Sequence, residues 1–181
     1  MMDRTWIDQI VVAAERTAAE RHRFDWAAAE GQLGVRLPAD YKELAEVFGP
    51  GMFGEWVGLM LPSGNGSYGL DLLATWSRKL APDMAHCAPL WEPYGLHPKP
   101  GGLLEWGYTP DGQLSFYWAV EGSDPDRWPV IVGHEYDTLF DRYERTTAEH
   151  VYRELARVLA SHDGLQGFIT TDELVARWPP Q

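Results

Sequence analysis

The most recognisable chemical motif in the sequence is a glycine-rich stretch, residues 64–69, which spells G-x-G-x-x-G. In a dinucleotide-binding fold this turn follows a strand, opens a helix and has an acidic residue about 20 positions further on. Glu92 stands near that distance, but it lies among prolines and glycines, and no second βαβ pattern follows. We therefore interpret the stretch as a turn. The alternative, a nucleotide-binding enzyme or small hydrolase, would be indicated by thermal stabilisation on adding a nucleotide.

Metal and nucleophile signatures are incomplete in this sequence. His134 and Glu135 begin like the zinc-binding H-E-x-x-H helix, but the position of the second histidine holds Thr138. Ser67 lacks one of the two flanking glycines of a nucleophile elbow. Cys87 has no catalytic flanking signature, and we interpret it as a small core residue. The residues therefore show no reaction chemistry and predict neither a cofactor nor a metal.

Acidic residues dominate the charge of the chain. Asp and Glu number 27 against 15 Lys and Arg, which gives a net charge of −12. Such a charge repels phosphate backbones and anionic lipid surfaces, so we expect neither nucleic acid nor a membrane as partner. It would steer a cationic partner inward, although solubility alone also favours an acidic surface. One stretch holds eight carboxylates against the single Arg127: Glu105, Asp111, Glu121, Asp124, Asp126, Glu135, Asp137 and Asp141.

Aromatic residues are unusually frequent, with nine Trp, eight Tyr and six Phe. Large rings build a core or anchor a protein interface, where Trp and Tyr are enriched. Rings beside carboxylates fit a partner with a basic cleft, and the alternative is a solvated face over ordinary core rings. On the first interpretation, the partner-binding residues are three anchors and three electrostatic determinants: Trp106, Trp118, Trp128, Asp111, Asp124 and Asp126.

The strands that would position these residues lie within residues 103–132, which read as three strands joined by two turns. Apolar and more polar residues alternate over 113–120, the two-residue period of a strand, and turn residues flank this run. Residues 138–143 are a further candidate strand. Residues 56–61 are predicted as another strand, preceded by a loop at 51–54.

Helices are predicted on both sides of these strands. Apolar residues at helical spacing indicate helices over about 5–23, 37–48 and 71–86. Capping signals at Thr146 and Thr170 open two more. This order predicts an α+β fold, in which a single domain of 181 residues has a central, mainly antiparallel sheet flanked by helices.

Cysteine usage and hydropathy bear on the cellular location. One cysteine excludes an internal disulfide and fits a reducing compartment. The first residues carry no apolar segment of a signal peptide. The longest uncharged run, residues 56–70, contains Pro62 and four glycines, so we do not expect it to span a bilayer. We predict a cytoplasmic protein.

Residues 33–41, LGVRLPADY, followed by FGPGMF at 48–53, resemble the opening signature of the SUKH superfamily, which includes the Smi/Knr-type cell-wall assembly regulators. Residues 104–112, LEWGYTPDG, with the Tyr117-Trp118 pair and SDPDRWPV at 123–130, are similar to the central strand region of its actinobacterial members. Together they frame about residues 24–160, most of the chain.

The resemblance implies an α+β domain without enzymatic activity that contacts a protein partner through its sheet face and nearby loops. Many bacterial members are thought to be immunity proteins that neutralise a toxin, often a nuclease. We therefore expect an antitoxin-like protein that occludes a basic toxin domain. The alternative is a regulatory scaffold of the Smi/Knr type, which an isolated gene, rather than one beside a toxin gene, would favour. Gln113 and the segment 71–86 depart from the family pattern, and the partner and oligomeric state stay open.

Overall fold

The computed structural model describes residues 5–16, 21–62, 71–134 and 139–177, which form a central sheet with helices on both faces. The helices are α1 (Trp6–Ala13), α2 (Trp26–Leu33), α3 (Ala39–Phe48), α4 (Leu72–Lys79), α5 (Thr147–Ser161) and α6 (Thr171–Arg177), with 3₁₀ helices at Pro82–Trp91 and Pro125–Arg127. The strands are β1 (Gly51–Phe53), β2 (Val57–Leu59), β3 (Leu103–Tyr108), β4 (Leu114–Ala119), β5 (Val130–His134), β6 (Leu139–Tyr143) and β7 (Phe168–Thr170).

The seven strands of the described residues form one antiparallel sheet in the order β6-β5-β4-β3-β2-β1-β7. The predicted meander is confirmed as β3, β4 and β5, and β6 extends it. Phe116 in the middle of β4 pairs with Val132 on one side and Gly107 on the other. The α+β class predicted from the sequence is therefore correct.

Four local predictions need correction. The helix expected over about 5–23 ends at Ala13, and residues 21–25 are not helical. Residues 51–54 were expected to be a loop, but β1 lies there, and β7 was not predicted at all. Both strands have only three residues, too few to show a two-residue period. The helix expected over 71–86 divides, because α4 ends at Lys79 and Pro82 opens a 3₁₀ helix. Proline has no N–H to continue an α-helix and disfavours helical conformation in the residue before it.

One face of the sheet packs against α3 and α5. Tyr41 of α3 meets the ring of Trp118 at 4.9 Å, and His150 of α5 meets that of Phe116 at 5.2 Å. The apolar stripe of α5, which includes Val151 and Leu155, is fully buried against the same core. Among the described helices, none combines the length and apolarity needed to cross a bilayer.

The opposite face of the sheet is also covered. Leu103, Tyr117, Ala119 and Ile131 form a second buried cluster with Trp91, which comes from the 3₁₀ helix after α4. The middle of the sheet therefore lies between two layers. Side chains on both faces of β4 are removed from solvent, and this burial decides where the predicted site residues lie.

Candidate partner-binding surface

The three tryptophans predicted as surface anchors lie in the core. The exposed fraction is 0% for Trp106 and Trp118 and 4% for Trp128. Trp118 stacks against Trp106 at 5.9 Å, meets Tyr41 edge-on and donates its indole N–H to Thr147 Oγ1 at 2.9 Å. The structure corrects the prediction, because these rings hold the sheet against the helices and present no surface to a partner.

The two-residue alternation of β4 explains why the sequence wrongly predicted Trp118 as a surface anchor. Alternation separates Phe116 and Trp118 from Tyr117 and Ala119, but it does not say which of the two faces is exposed. In this protein all four side chains are buried, two against the helices and two against the 3₁₀ helix that carries Trp91. A strand buried on both faces has no face to offer a partner.

Asp111 is exposed and shapes the turn between β3 and β4. Its Oδ1 accepts hydrogen bonds from the Thr109 hydroxyl at 2.6 Å and from the Gln113 N–H at 3.1 Å. The hydrogen bond from Thr109 holds the pKa of Asp111 below its usual value. Asp111 precedes β4, whereas Asp124 and Asp126 follow it, so the six residues of that strand separate them by roughly 17 Å. The structure does not bring the three aspartates together.

Asp124 and Asp126 are exposed and carry out local structural roles. Asp124 caps the 3₁₀ helix Pro125–Arg127 and accepts the Asp126 N–H at 3.2 Å. Asp126 Oδ1 accepts the Ala39 N–H at 2.6 Å, at the first residue of α3. The N-cap position of α3 is Pro38, whose side chain cannot accept a hydrogen bond. Asp126 supplies the missing acceptor from a distant loop.

Asp40, in the first turn of α3, caps α5 in the same way. Its Oδ2 accepts the Ala148 N–H at 2.6 Å, and its Oδ1 accepts the Tyr41 N–H at 2.8 Å. Burial, with a smaller contribution from the charge of Asp126, raises the pKa of Asp40. The loop that carries Asp126 is thereby tied to α3, and α3 is tied to α5, so the exposed carboxylates of this loop stand on a rigid base.

Replacing Asp40 by alanine is expected to lower the free energy of unfolding by about 1–3 kcal/mol, because a buried N–H at the start of α5 loses a charged acceptor. Urea denaturation measures the change. Asp163→Ala, at an exposed acid beyond the other end of α5, is the matched control and should change stability by less than about 0.5 kcal/mol. Equal losses in the two variants would contradict the capping role of Asp40.

The carboxylates that do come together lie in residues 121–127, which we name the acidic loop, and at Glu144 beside it. Arg142 of β6 donates to both oxygens of Glu121, at 2.7 and 3.1 Å, and from its Nε to Glu144 at 2.6 Å. These hydrogen bonds lower the pKa of Glu121 and raise that of Arg142. Asp124 has no ion-pair partner within the described residues. Glu121 and Glu144 therefore meet at Arg142, and the exposed Asp124 and Asp126 follow Glu121 in the same short loop.

A second group of polar residues, which the sequence did not indicate, lies on the sheet face that Trp91 covers. The Lys79 ammonium contacts the Glu105 carboxylate, donates to the Tyr117 hydroxyl at 3.2 Å and lies 5.5 Å from the centre of the Trp91 ring. Burial opposes the charge of Lys79, but Tyr117 and Glu105 outweigh it and raise the pKa of Lys79. Glu105, counted from the sequence among the eight carboxylates of the acidic stretch, is thus a buried partner of Lys79. One sequence signal indicated this buried position, since Glu105 interrupts an apolar run.

A pocket of about 270 Å³ opens beside this ion pair, and we name it the Trp91 pocket. Its walls are almost entirely apolar and include Lys79, Leu80, Met84, Ala88, Trp91 and Leu96. Residues 96–97 pack against Gly102, directly before β3. The approach is so close that a Cβ on this glycine would lie 2.5 Å from the Leu96 carbonyl carbon. Reciprocal backbone hydrogen bonds of 2.9 and 3.0 Å then join residues 101–102 to Val120, which directly precedes the acidic loop.

The remaining motifs carry no site within the described residues. The glycine-rich stretch 64–69 and the positions of Glu135, Asp137 and Thr138 lie outside them. His134 pairs with Asp141 across β5 and β6 at 3.0 Å. Cys87 is partly buried beside the Trp91 cluster. The described parts of the chain contain no group of three or more His, Cys, Asp or Glu side chains that could hold a metal ion.

Comparison with known proteins adds no assignment: no family model, curated protein or solved structure matches this chain. The resemblance of residues 33–53 and 104–130 to the SUKH superfamily therefore stays a prediction.

Proposed function

We propose that this protein is a non-enzymatic, cytoplasmic binding domain that neutralises a basic protein toxin, such as a nuclease, by covering its active surface. The observation that carries the proposal is the group of exposed carboxylates on and beside the acidic loop, held by hydrogen bonds to α3 and β6. The toxin class comes from the resemblance to SUKH immunity proteins.

The geometry of the acidic loop suits electrostatic recognition. Fixed charges at one end of a rigid sheet steer a cationic partner and favour one orientation on contact. A nuclease presents cations to bind phosphates, and carboxylates placed there compete for the same groups. Since Arg142 already orders Glu121 and Glu144, little side-chain freedom remains to be lost on binding.

Charge reversal tests the proposal directly. Asp124→Lys combined with Glu144→Lys spares the carboxylate of Asp126 that caps α3 but removes the Asp124 cap of the 3₁₀ helix, so urea denaturation first checks that the double variant keeps its fold. The double variant is expected to slow association with the partner at least tenfold at low ionic strength, with a smaller effect on dissociation and a smaller difference at high salt. The partner is first isolated from the native cytoplasm with the wild-type chain as bait. Stopped-flow mixing then gives both rate constants, and an activity assay shows whether the chain inhibits that partner.

A control with the same net charge separates the loop from the overall field. Asp163→Lys combined with Asp172→Lys changes two exposed acids, one beyond α5 and one in α6, and should leave most of the association rate intact. Equal slowing in both double variants would contradict a role for the acidic loop. A partner that binds through the loop without losing any activity would favour the regulatory scaffold.

A further inference from the structure

The geometry points to the Trp91 pocket as the socket for one apolar side chain of the same protein partner. This inference rests on the proposed function and adds to it the hydrophobic anchor that the buried tryptophans do not provide. On this proposal the partner inserts the side chain, and this protein supplies the cavity.

The lining of the pocket selects an apolar occupant. Leu80, which lines the pocket, is an exposed apolar side chain with 40% of its surface accessible. Arg78 pairs with Asp83 at 3.0 Å and Lys79 with Glu105, while the Lys99 side chain lies against Gly95 of the lining. In a chain of net charge −12, this apolar patch is suited to desolvation.

The floor of the pocket offers one polar contact. An ammonium group has three N–H donors, and within the described residues those of Lys79 are directed to Glu105 and Tyr117, which leaves one. Because Glu105 already balances its charge, a neutral acceptor such as a peptide carbonyl fits better than a carboxylate, which would leave a net negative charge in a buried site. An apolar side chain with its backbone carbonyl has this combination.

The size and position of the pocket agree with a single anchor residue. A volume of about 270 Å³ is below the range of most small-molecule sites, roughly 300–1,000 Å³, and holds one large side chain. Gly95, which lines the pocket, accepts the Leu103 N–H at 2.9 Å, and the adjoining residues 101–102 are bonded to Val120, directly before the acidic loop. An apolar socket beside a charged rim reproduces the arrangement of protein interfaces, in which a desolvated centre is surrounded by polar groups.

Blocked amino acids test the pocket without any partner in hand. N-acetyl-L-phenylalaninamide and N-acetyl-L-leucinamide are titrated into the ¹⁵N-labelled chain, and N-acetyl-L-serinamide serves as the polar control. We expect the two apolar amides to bind with a Kd on the order of 1 mM and to shift the amide signals of Ala85, Ala88, Gly95 and Leu96. N-acetyl-L-phenylalanine, the free acid, should bind no more tightly than its amide.

Two tryptophan variants test whether the amides bind in the Trp91 pocket. Ala88→Trp fills the pocket and should abolish binding, whereas Ala74→Trp places the same ring on the exposed face of α4 and should not.

The absence of site-specific shifts at tens of millimolar amide would overturn the inference, and tenfold tighter binding of the free acid would replace it with a site for small acids. Neither result touches the acidic loop, whose readout is association with the partner. Asp124→Lys with Glu144→Lys should leave amide binding unchanged even if the proposed function fails.

Discussion

Trp118→Ala is expected to lower the free energy of unfolding by about 3–5 kcal/mol, the range for removing a fully buried aromatic side chain. The indole contacts the rings of Tyr41, Trp106 and Trp128, and its N–H is bonded to Thr147. Alanine leaves a cavity between the sheet and α3 and also removes the hydrogen bond. Urea denaturation at neutral pH should show a lower midpoint with an unchanged slope.

A half-buried tryptophan is the matched control for this variant. Trp56 lies under the guanidinium of Arg157 at 5.4 Å and donates to Glu154 at 3.3 Å, near the surface of α5. Trp56→Ala should cost less than half as much stability as Trp118→Ala. If Trp118→Ala instead stays within about 1 kcal/mol of the wild type and loses partner binding, the core role of this ring is wrong and the surface-anchor prediction is restored.

Trp118 also shows how far local patterns reach in this chain. The alternation around it located β4 correctly, and the turn residues around Asp111 located the end of the hairpin, because both signals depend on neighbouring residues. Whether either face of β4 meets solvent depends on distant segments, here the 3₁₀ helix that carries Trp91. A two-residue period separates two faces of a strand without saying that either one is exposed.

Polar contacts likewise divide into local ones, which the sequence predicts, and contacts between distant residues, which it does not. Capping by Thr146 is encoded within four residues, and the sequence predicted it. The carboxylate of Asp126 caps a helix 87 positions away, and Lys79 meets Glu105 only because α4 ends beside β3. Counting carboxylates along the chain grouped Glu105 with Asp124 and Asp126, although Glu105 is buried and the two aspartates are exposed. Pairings over such distances are decided by the tertiary fold.

His150 is the buried residue with the largest expected dependence on pH. Its side chain lies among the rings of Trp106, Phe116 and Tyr143, and neither ring nitrogen has a hydrogen-bond partner within the described residues. Burial, and to a smaller extent the positive charge of Arg145, lowers the pKa of His150 to about 3 from a usual value of 6.5. The folded protein therefore holds this imidazole neutral while the unfolded chain protonates it below pH 6.5.

The sign of the pH effect follows from this difference. Between the two pKa values the unfolded state binds one more proton, so stability falls as the pH is lowered, by about 1.4 kcal/mol per pH unit. From pH 6.5 to about pH 4.5, His150 should cost the fold about 2–3 kcal/mol. His150→Leu removes this loss and also removes two unpaired polar atoms, so it should be at least as stable as the wild type at neutral pH.

Urea denaturation of the wild type and His150→Leu at a series of pH values measures the effect, because the contributions of the carboxylates cancel in the difference between the two proteins. His162→Leu, at an exposed position just after α5, is the matched control and should follow the wild-type curve. Parallel curves for the wild type and His150→Leu would mean that the imidazole is protonated in the folded protein. The packing of α5 against Trp106 and Phe116 would then have to provide a partner for that charge.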